Sequence, residues 1–262
     1  MLGAKVPPAM TKEVFEELLE TEAFQVNSQP LMDASSAFLV LDGVWQSVKS
    51  QRTGETRKRV TLVALGMDEH GENQRIFGFR LAFEEDETSW TEFLRSLEKR
   101  GVNLQATKLV IADGGGGLLT ALERLAPSVP VQTCLSHRYR NTLKHTPHKL
   151  KGEMGKDLHK LTEAQSKEAF LGQVKAMEQR WATLAPNAVT SLLHHVDLST
   201  TYLDFPREVW VKIRTTNILD RAFREVRART HVHFDHYQNP DSSNRYHQAI
   251  LGDLNQRYFK AA

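Results

Sequence analysis

Three apolar runs rich in β-branched residues follow one another early in the chain: AFLVLDG from Ala37, RVTLVALGMD from Arg59 and QRIFGFRLA from Gln74. Turn-like segments separate them, the last being DEHGEN, so the economical arrangement is a three-stranded antiparallel meander. Beyond it, helix and strand signals alternate. Glu87 to Arg100 sets Trp90, Phe93, Leu94 and Leu97 on one helical stripe, and Gly101 follows where a helix C-cap wants glycine. TKLVIAD predicts a fourth strand, and DGGGGLLTALERLAP a glycine turn and a short helix with Leu118, Leu119, Leu122 and Leu125 facing inward. VPVQTC, from Val129, predicts a fifth strand.

From Arg138 the strand signals vanish, and Phe170, Val174, Met177 and Trp181 recur at helical spacing. After the break at Phe205-Pro206, the arginine-dense segment from Asn217 to Arg229 predicts another helix. At the other end, Val14, Phe15, Leu18, Leu19 and Phe24 predict a short helix before the polar link QVNSQP. The organisation read from these signals is a remnant helix and linker over 1–35, a first core part over 36–137, an all-helical insertion over 138–206 and a second core part over 207–262. Three strands, helix, strand, helix, strand, helices is the order of an α/β fold of RNase H-like type, a mixed five-stranded sheet flanked by helices.

A hydrophobic content of 40% can fill such a core, and 25% charged residues of both signs exclude the composition of a disordered chain. The net charge of +2 permits a nucleic-acid partner without requiring one. Cys134 is the single cysteine, which excludes an intrachain disulfide and fits a reducing compartment. The opening MLGAKVPPAM has no apolar run of signal-peptide or membrane-span length, so the expected location is the cytoplasm, with no membrane partner.

Two acids sit where acids are costly. Asp42 follows FLVL and Asp113 follows LVIA, each at the expected end of an apolar strand. Taken singly, each Asp-Gly pair also reads as a turn. If the first and fourth strands are neighbours, however, the two carboxylates meet and repel unless a cation lies between them. Hard divalent ions such as Mg²⁺ or Mn²⁺ accept carboxylate oxygens, and a third acid would complete a two-ion site for phosphodiester chemistry. The run Gly114 to Gly117 lacks the Lys-Ser/Thr of a Walker motif and reads as a tight turn beside that site.

LVLDGVWQSVK, WTEFLRSLEKRGV, LVIADGGGGLLTAL, CLSHRYRN and YLDFPREVWVKIRTTNILDRAFREVRARTHV, in that order, resemble the mutator-like transposases of bacterial insertion sequences. The resemblance implies a DDE site on an RNase H-like fold, two Mg²⁺ or Mn²⁺ ions, double-stranded DNA at element ends and at the target as partner, and a homo-oligomer on DNA, associated with the nucleoid. It implies Asp42 as the first acid and Asp113 as the second. The third falls in the TTN block, where this chain has Asp220 in place of the family's glutamate. Aspartate is shorter by roughly 1.5 Å against a tolerance of about 0.5 Å, so a helix must approach or activity falls, and Mn²⁺ becomes the more forgiving ion. Glu225 would point about 140° away from Asp220 on a helix. Only about 35 residues precede the first strand, where the family carries helix-turn-helix-like DNA-binding segments, so the chain reads as a truncated copy.

Cys134 and His137 match the family's C-x-x-H motif, either steadying the strand-to-helix junction or supporting an acid or the scissile phosphate. Arg214, Arg221, Arg224, Arg227 and Arg229 crowd the third-acid helix, as a solvated face or as phosphate contacts. Trp45 and Trp210 are expected in the core, with stacking on a base as the alternative, and the remaining histidines, including His194 and His195, at the surface. Two functions therefore stand: a DNA transposase core, or a non-catalytic DNA-binding and assembly module derived from one. An RNase H-like nuclease acting on other substrates is disfavoured by the TTN block.

Overall fold

The computed structural model describes residues 26–31, 36–50, 53–231 and 237–257, with only the backbone for 229–231. The helix expected between Thr11 and Phe24 lies outside the described residues. Three long strands open the fold: β1 (Phe38–Lys49), β2 (Thr56–Met67) and β3 (Arg75–Ala82). They pair antiparallel in sequence order, with a bulge between Ala64 and Leu65 on β2. Two short strands, β4 (Leu109–Ala112) and β5 (Val131–Thr133), then add parallel to β1 on its other edge. The sheet order is β3-β2-β1-β4-β5, which puts β1 at the centre. This is the mixed five-stranded sheet that the element order predicts.

Parallel neighbours need crossovers, and helices supply them. Between β3 and β4 runs α1 (Glu87–Lys99), and between β4 and β5 runs α2 (Gly116–Leu125). Asp86 starts α1 by accepting from the Ser89 amide at 2.8 Å, and Gly101, at φ 113, follows its end as the sequence requires. Trp90, Phe93, Leu94 and Leu97 pack with Leu118 and Leu122 against Leu39, Leu41 and Leu62 on one face of the sheet. Phe38, Val40, Val44 and Val63 point to the opposite face, so both faces are covered and the strands read as nearly continuous apolar runs.

That second face carries the helical insertion: α3 (Leu135–His145), α4 (Lys151–Leu161), α5 (Lys167–Trp181) and α6 (Pro186–Leu193), followed by short helical turns to Ile213. Within it, Asp157 accepts from the Trp181 indole at 3.0 Å and from Arg180 at 2.6 Å, pinning α4 to α5. Two helices close the fold, α7 (Asn217–His231) and α8 (Pro240–Arg257). Asn255 of α8 exchanges hydrogen bonds with the backbone of Ile76 at 2.7 and 2.9 Å and so anchors α8 to β3. No helix among the described residues is long and apolar enough to cross a membrane.

The structure corrects the expectations for Asp42, for Trp45 and for His247, which is buried in the core rather than at the surface. β1 does not end at Asp42 but runs seven residues further, because β2 pairs with it as far as Lys49↔Thr56. Asp42 is therefore a mid-strand residue opposite Val63, and the turn reading of Asp42-Gly43 falls. Trp45 is 49% exposed rather than core, since it stands on the part of β1 beyond the cover of α1 and α2. Trp210 is partly buried and donates to the Phe205 carbonyl at 2.7 Å.

His247 of α8 is fully buried beside Phe79 and Tyr237, with one ring nitrogen 2.8 Å from the Ser243 carbonyl. Burial pulls its pKa from the ordinary 6.5 down to about 4. Below pH 6.5 the unfolded chain takes up a proton that the native one refuses, so stability falls as pH drops through this window. The loss by pH 4 amounts to roughly 3 kcal/mol. In His247→Gln the slope of melting temperature against pH between 6.5 and 4 should be shallower than in the parent, and an unchanged slope would count against the buried neutral imidazole.

Candidate active site

The site begins at the centre of the sheet. Asp42 is only 5% exposed; its Oδ1 accepts from the Gly43 amide and its Oδ2 from the Thr216 hydroxyl, both at 2.8 Å. Burial nonetheless pushes its pKa up to about 6, outweighing His137 and the two hydrogen bonds, which act the other way. Asp113 arrives by topology. β1 and β4 run parallel from Phe38↔Leu109 to Val40↔Ile111, and two more residues bring Asp42 level with Asp113. Here the chain does turn: Gly114 has φ 89, which a side chain would strain, and the Gly115 amide caps Asp113 Oδ1 at 2.8 Å.

Asp220 comes from the other side of the chain. Leu219, Ala222, Phe223 and Val226 are buried and fix the rotation of α7, leaving Asp220 half-buried one turn into the helix. A carboxylate oxygen of Asp42, one of Asp220 and a ring nitrogen of His137 all lie within 4.8 Å of one another. Thr216, just ahead of α7, ties the start of that helix to Asp42. Arg140 approaches Asp220 at 3.7 Å.

His137 sits on the first turn of α3, three residues after Cys134. The hydrogen bond with Cys134 raises its pKa to about 9 against the opposing effect of burial, so at neutral pH the ring is charged and faces the two acids. Cys134 is buried; its sulfur accepts from the Thr216 amide at 3.3 Å and lies 3.5 Å from the Thr216 hydroxyl oxygen, whose proton goes to Asp42. Burial alone would raise this thiol, but His137 and Thr216 together hold it below its ordinary value. One buried nitrogen of His137, Nδ1, has no hydrogen-bond partner among the described residues. The Asp42 and Asp220 carboxylates form a donor set that a divalent cation fits, and His137 would join it only on losing its proton.

Sequence comparisons place the chain in a family. Residues 1–261 match the family model for Transposase, Mutator family. The chain belongs to the Mutator family of transposases. It is 25% identical over 240 residues to the transposase for insertion sequence element ISRM5 of Rhizobium meliloti (strain 1021), covering 92% of this chain and 59% of that protein. With the transposase for insertion sequence element IS406 of Burkholderia multivorans it shares 31% identity over 222 residues, covering 84% of this chain and 56% of that one. The chain therefore spans less than two thirds of the length of these relatives. Among solved structures, the Drosophila P element transposase strand transfer complex superposes with a TM-score of 0.52 at 9% identity, over 95% of this chain and 86% of that chain, a likeness of fold.

In this Mutator-family chain, a further acid that the sequence did not single out lies near Asp113 and Asp42. Glu85, in the link from β3 to α1, accepts a hydrogen bond from the Trp45 side chain, and burial, with Asp113 and then Asp42 nearby, lifts its pKa to about 7. A methyl group on Gly43 would come within 2.8 Å of its Oε1, so Gly43 leaves room for it. The sequence carries no signal for Glu85, because an acid just ahead of a helix is ordinary N-terminal chemistry. Of the arginines, Arg221, Arg224 and Arg227 are exposed along α7, whereas Arg214 is half-buried and donates to the Thr162 carbonyl at 3.3 Å. Of Arg229 only the backbone is described.

Asp42 and Glu85 must shed any proton to serve a cation. With values of about 6 and about 7, metal uptake should strengthen as pH rises from 5.5 to 8 and should release protons near the lower end. Calorimetric titration of Mn²⁺ in buffers of different ionisation enthalpy checks this, and Glu85→Gln should reduce the proton release. Affinity independent of pH across that range would contradict the assignment.

Proposed function

We propose that this chain is the catalytic core of a DNA transposase, cutting DNA at the ends of a mobile element and joining the freed 3′-hydroxyl to target DNA by transesterification. The observation that carries this is the convergence of Asp42 and Asp220, with His137, within 4.8 Å at the centre of the sheet, beside Asp113 on the neighbouring parallel strand. Asp42, Asp113 and Asp220 would hold two Mg²⁺ or Mn²⁺ ions. Such ions activate the attacking oxygen and stabilise the leaving one in an in-line displacement.

The protein's own groups prepare that step. Thr216 and the Gly43 amide fix the orientation of Asp42, and the Gly115 amide fixes Asp113. Cys134 locks the rotation of Thr216 and the placement of His137, whose charge balances the acids before a cation enters. Exposed Arg221, Arg224 and Arg227, on the helix that carries Asp220, would grip backbone phosphates of double-stranded DNA, with affinity that weakens as salt rises. A homo-oligomer on paired ends completes the reading.

Manganese-dependent nicking of supercoiled plasmid tests it. Asp42→Asn and Asp113→Asn should each lose at least about 100-fold, the scale set by losing even an outer partner of a metal ligand. Undiminished nicking in both would overturn the proposal. Because Asp220 already reaches the cluster, Asp220→Glu should lower nicking; a tenfold gain would show instead that the shorter side chain is a defect.

A further inference from the structure

A cavity of about 430 Å³ opens beside the acids, between the ends of β4 and β5 and helices α3 and α6 of the insertion. Asp113 and Gly114 form one wall, and Asp113 is the one candidate acid that lines it. The rest of the lining is mostly neutral and polar, with Asn141 on α3, Asn187 and Ser191 on α6, and His194 and His195 on the loop that follows.

This loop is built rather than loose. Arg138 is 8% exposed, and its guanidinium donates to the carbonyls of Leu192, His194 and His195 and to the Thr133 hydroxyl. His195 is held at φ 50, a strained conformation for a residue with a side chain, and its ring meets that of His194 edge to face at 4.2 Å. Strain of this kind persists where the surroundings over-determine it, commonly at ligand sites. Arg138 lines the cavity, and its buried Nε has no hydrogen-bond partner among the described residues.

The chemistry of the walls selects the ligand. A lone phosphate would want free cationic groups, but both terminal nitrogens of Arg138 already serve the protein. Carboxamides and hydroxyls instead offer paired donors and acceptors that match the edge of a nucleobase, and imidazole rings offer faces for stacking. The volume lies within the roughly 300–1,000 Å³ of small-molecule sites. A base at a frayed or unpaired strand end presents both such an edge and such a face.

We propose that this cavity receives one unpaired nucleobase of the strand that carries the scissile phosphate. The inference rests on the DNA transposase reading and deepens it: the insertion acts as the receptor for the displaced base, and Asn187 and Ser191 hold its edge.

The test uses the full chain in Ca²⁺ buffer, with fluorescence anisotropy on a blunt duplex and on the same duplex carrying one overhanging 2-aminopurine at its 5′ or 3′ end. One overhang should bind about tenfold tighter than the blunt duplex, the scale of one recognised base, and its 2-aminopurine emission should change on binding. The double variant Asn187→Ala, Ser191→Ala should lose both the preference and the emission change while binding the blunt duplex as before. Asn187 is exposed and Ser191 partly so, and an unchanged melting temperature would show that the variant folds. Equal affinity of the native chain for blunt and overhanging duplexes would overturn the pocket alone, as would a preference that survives in the variant. Failure to bind either duplex would overturn the DNA reading beneath it.

Discussion

The hydrogen bond from Thr216 to Asp42 joins residues 174 positions apart, and the site depends on it. Asp42 belongs to the central strand, and Thr216 to the residue just ahead of α7. A carboxylate at that depth is costly without partners. Its two hydrogen bonds offset only part of the cost, and its pKa remains high. The remaining imbalance is what a cation would relieve. The same bond ties the start of α7 to the sheet, alongside the buried Leu219, Ala222, Phe223 and Val226.

The insertion is joined to the core by a few buried polar contacts rather than by an apolar seam alone. Gln132 of β5 donates to the Ser199 carbonyl and accepts from the Tyr202 amide, and the Thr133 hydroxyl meets that of Ser199 at 2.7 Å. The Leu135 amide bonds to the Arg214 carbonyl, tying the start of α3 to the segment just before the third acid. Arg138 closes the set by fastening α3 to the loop after α6. Buried polar networks of this type fix one arrangement, because any displacement leaves several groups unsatisfied at once. The helices that wall the cavity are thus held in register with β4 and β5, which carry Asp113 and Thr133 on their ends.

Much of this sheet was legible in the sequence, for reasons visible in particular residues. Strands buried on both faces read as apolar runs, and the stripe from Trp90 to Leu97 admits only a helix. β1 was read short because Gly43 mimics a turn, and only pairing with β2, seen in three dimensions, carries the strand through it. α8 went unread because its buried residues include the consecutive Ala249, Ile250, Leu251 and Gly252 rather than a stripe at helical spacing. Asp42 and Asp113 stood out as acids interrupting apolar runs. Glu85 did not, since its proximity to Asp113 arises from packing of the β3 to α1 link against the glycine turn: a methyl on Gly117 would strike the Glu85 carbonyl at 2.4 Å. The histidines after α6 were placed at the surface, and they do face solvent, but in the wall of a cavity that forms only once α3 and α6 are brought together.

Aspartate at position 220, where the resemblance implies glutamate, changes meaning in this setting if it is the proposed third acid. On a fixed scaffold, losing a methylene would withdraw the carboxylate by more than a metal site tolerates. Here, however, the Asp220 carboxylate already lies within 4.8 Å of Asp42 and His137, on a helix whose preceding residue, Thr216, bonds to Asp42. A short acid on a near helix and a long acid on a more distant one reach the same point. The short one loses less rotamer freedom when fixed, which suits a ligand that must be in place before a cation arrives. Its neighbour Arg140 and the charged His137 then compensate the acids while the site waits. Whether an aspartate at position 220 can serve as the proposed third acid therefore depends on how close α7 lies to the sheet, and Thr216, bonded to both Asp42 and Cys134, stands at that junction.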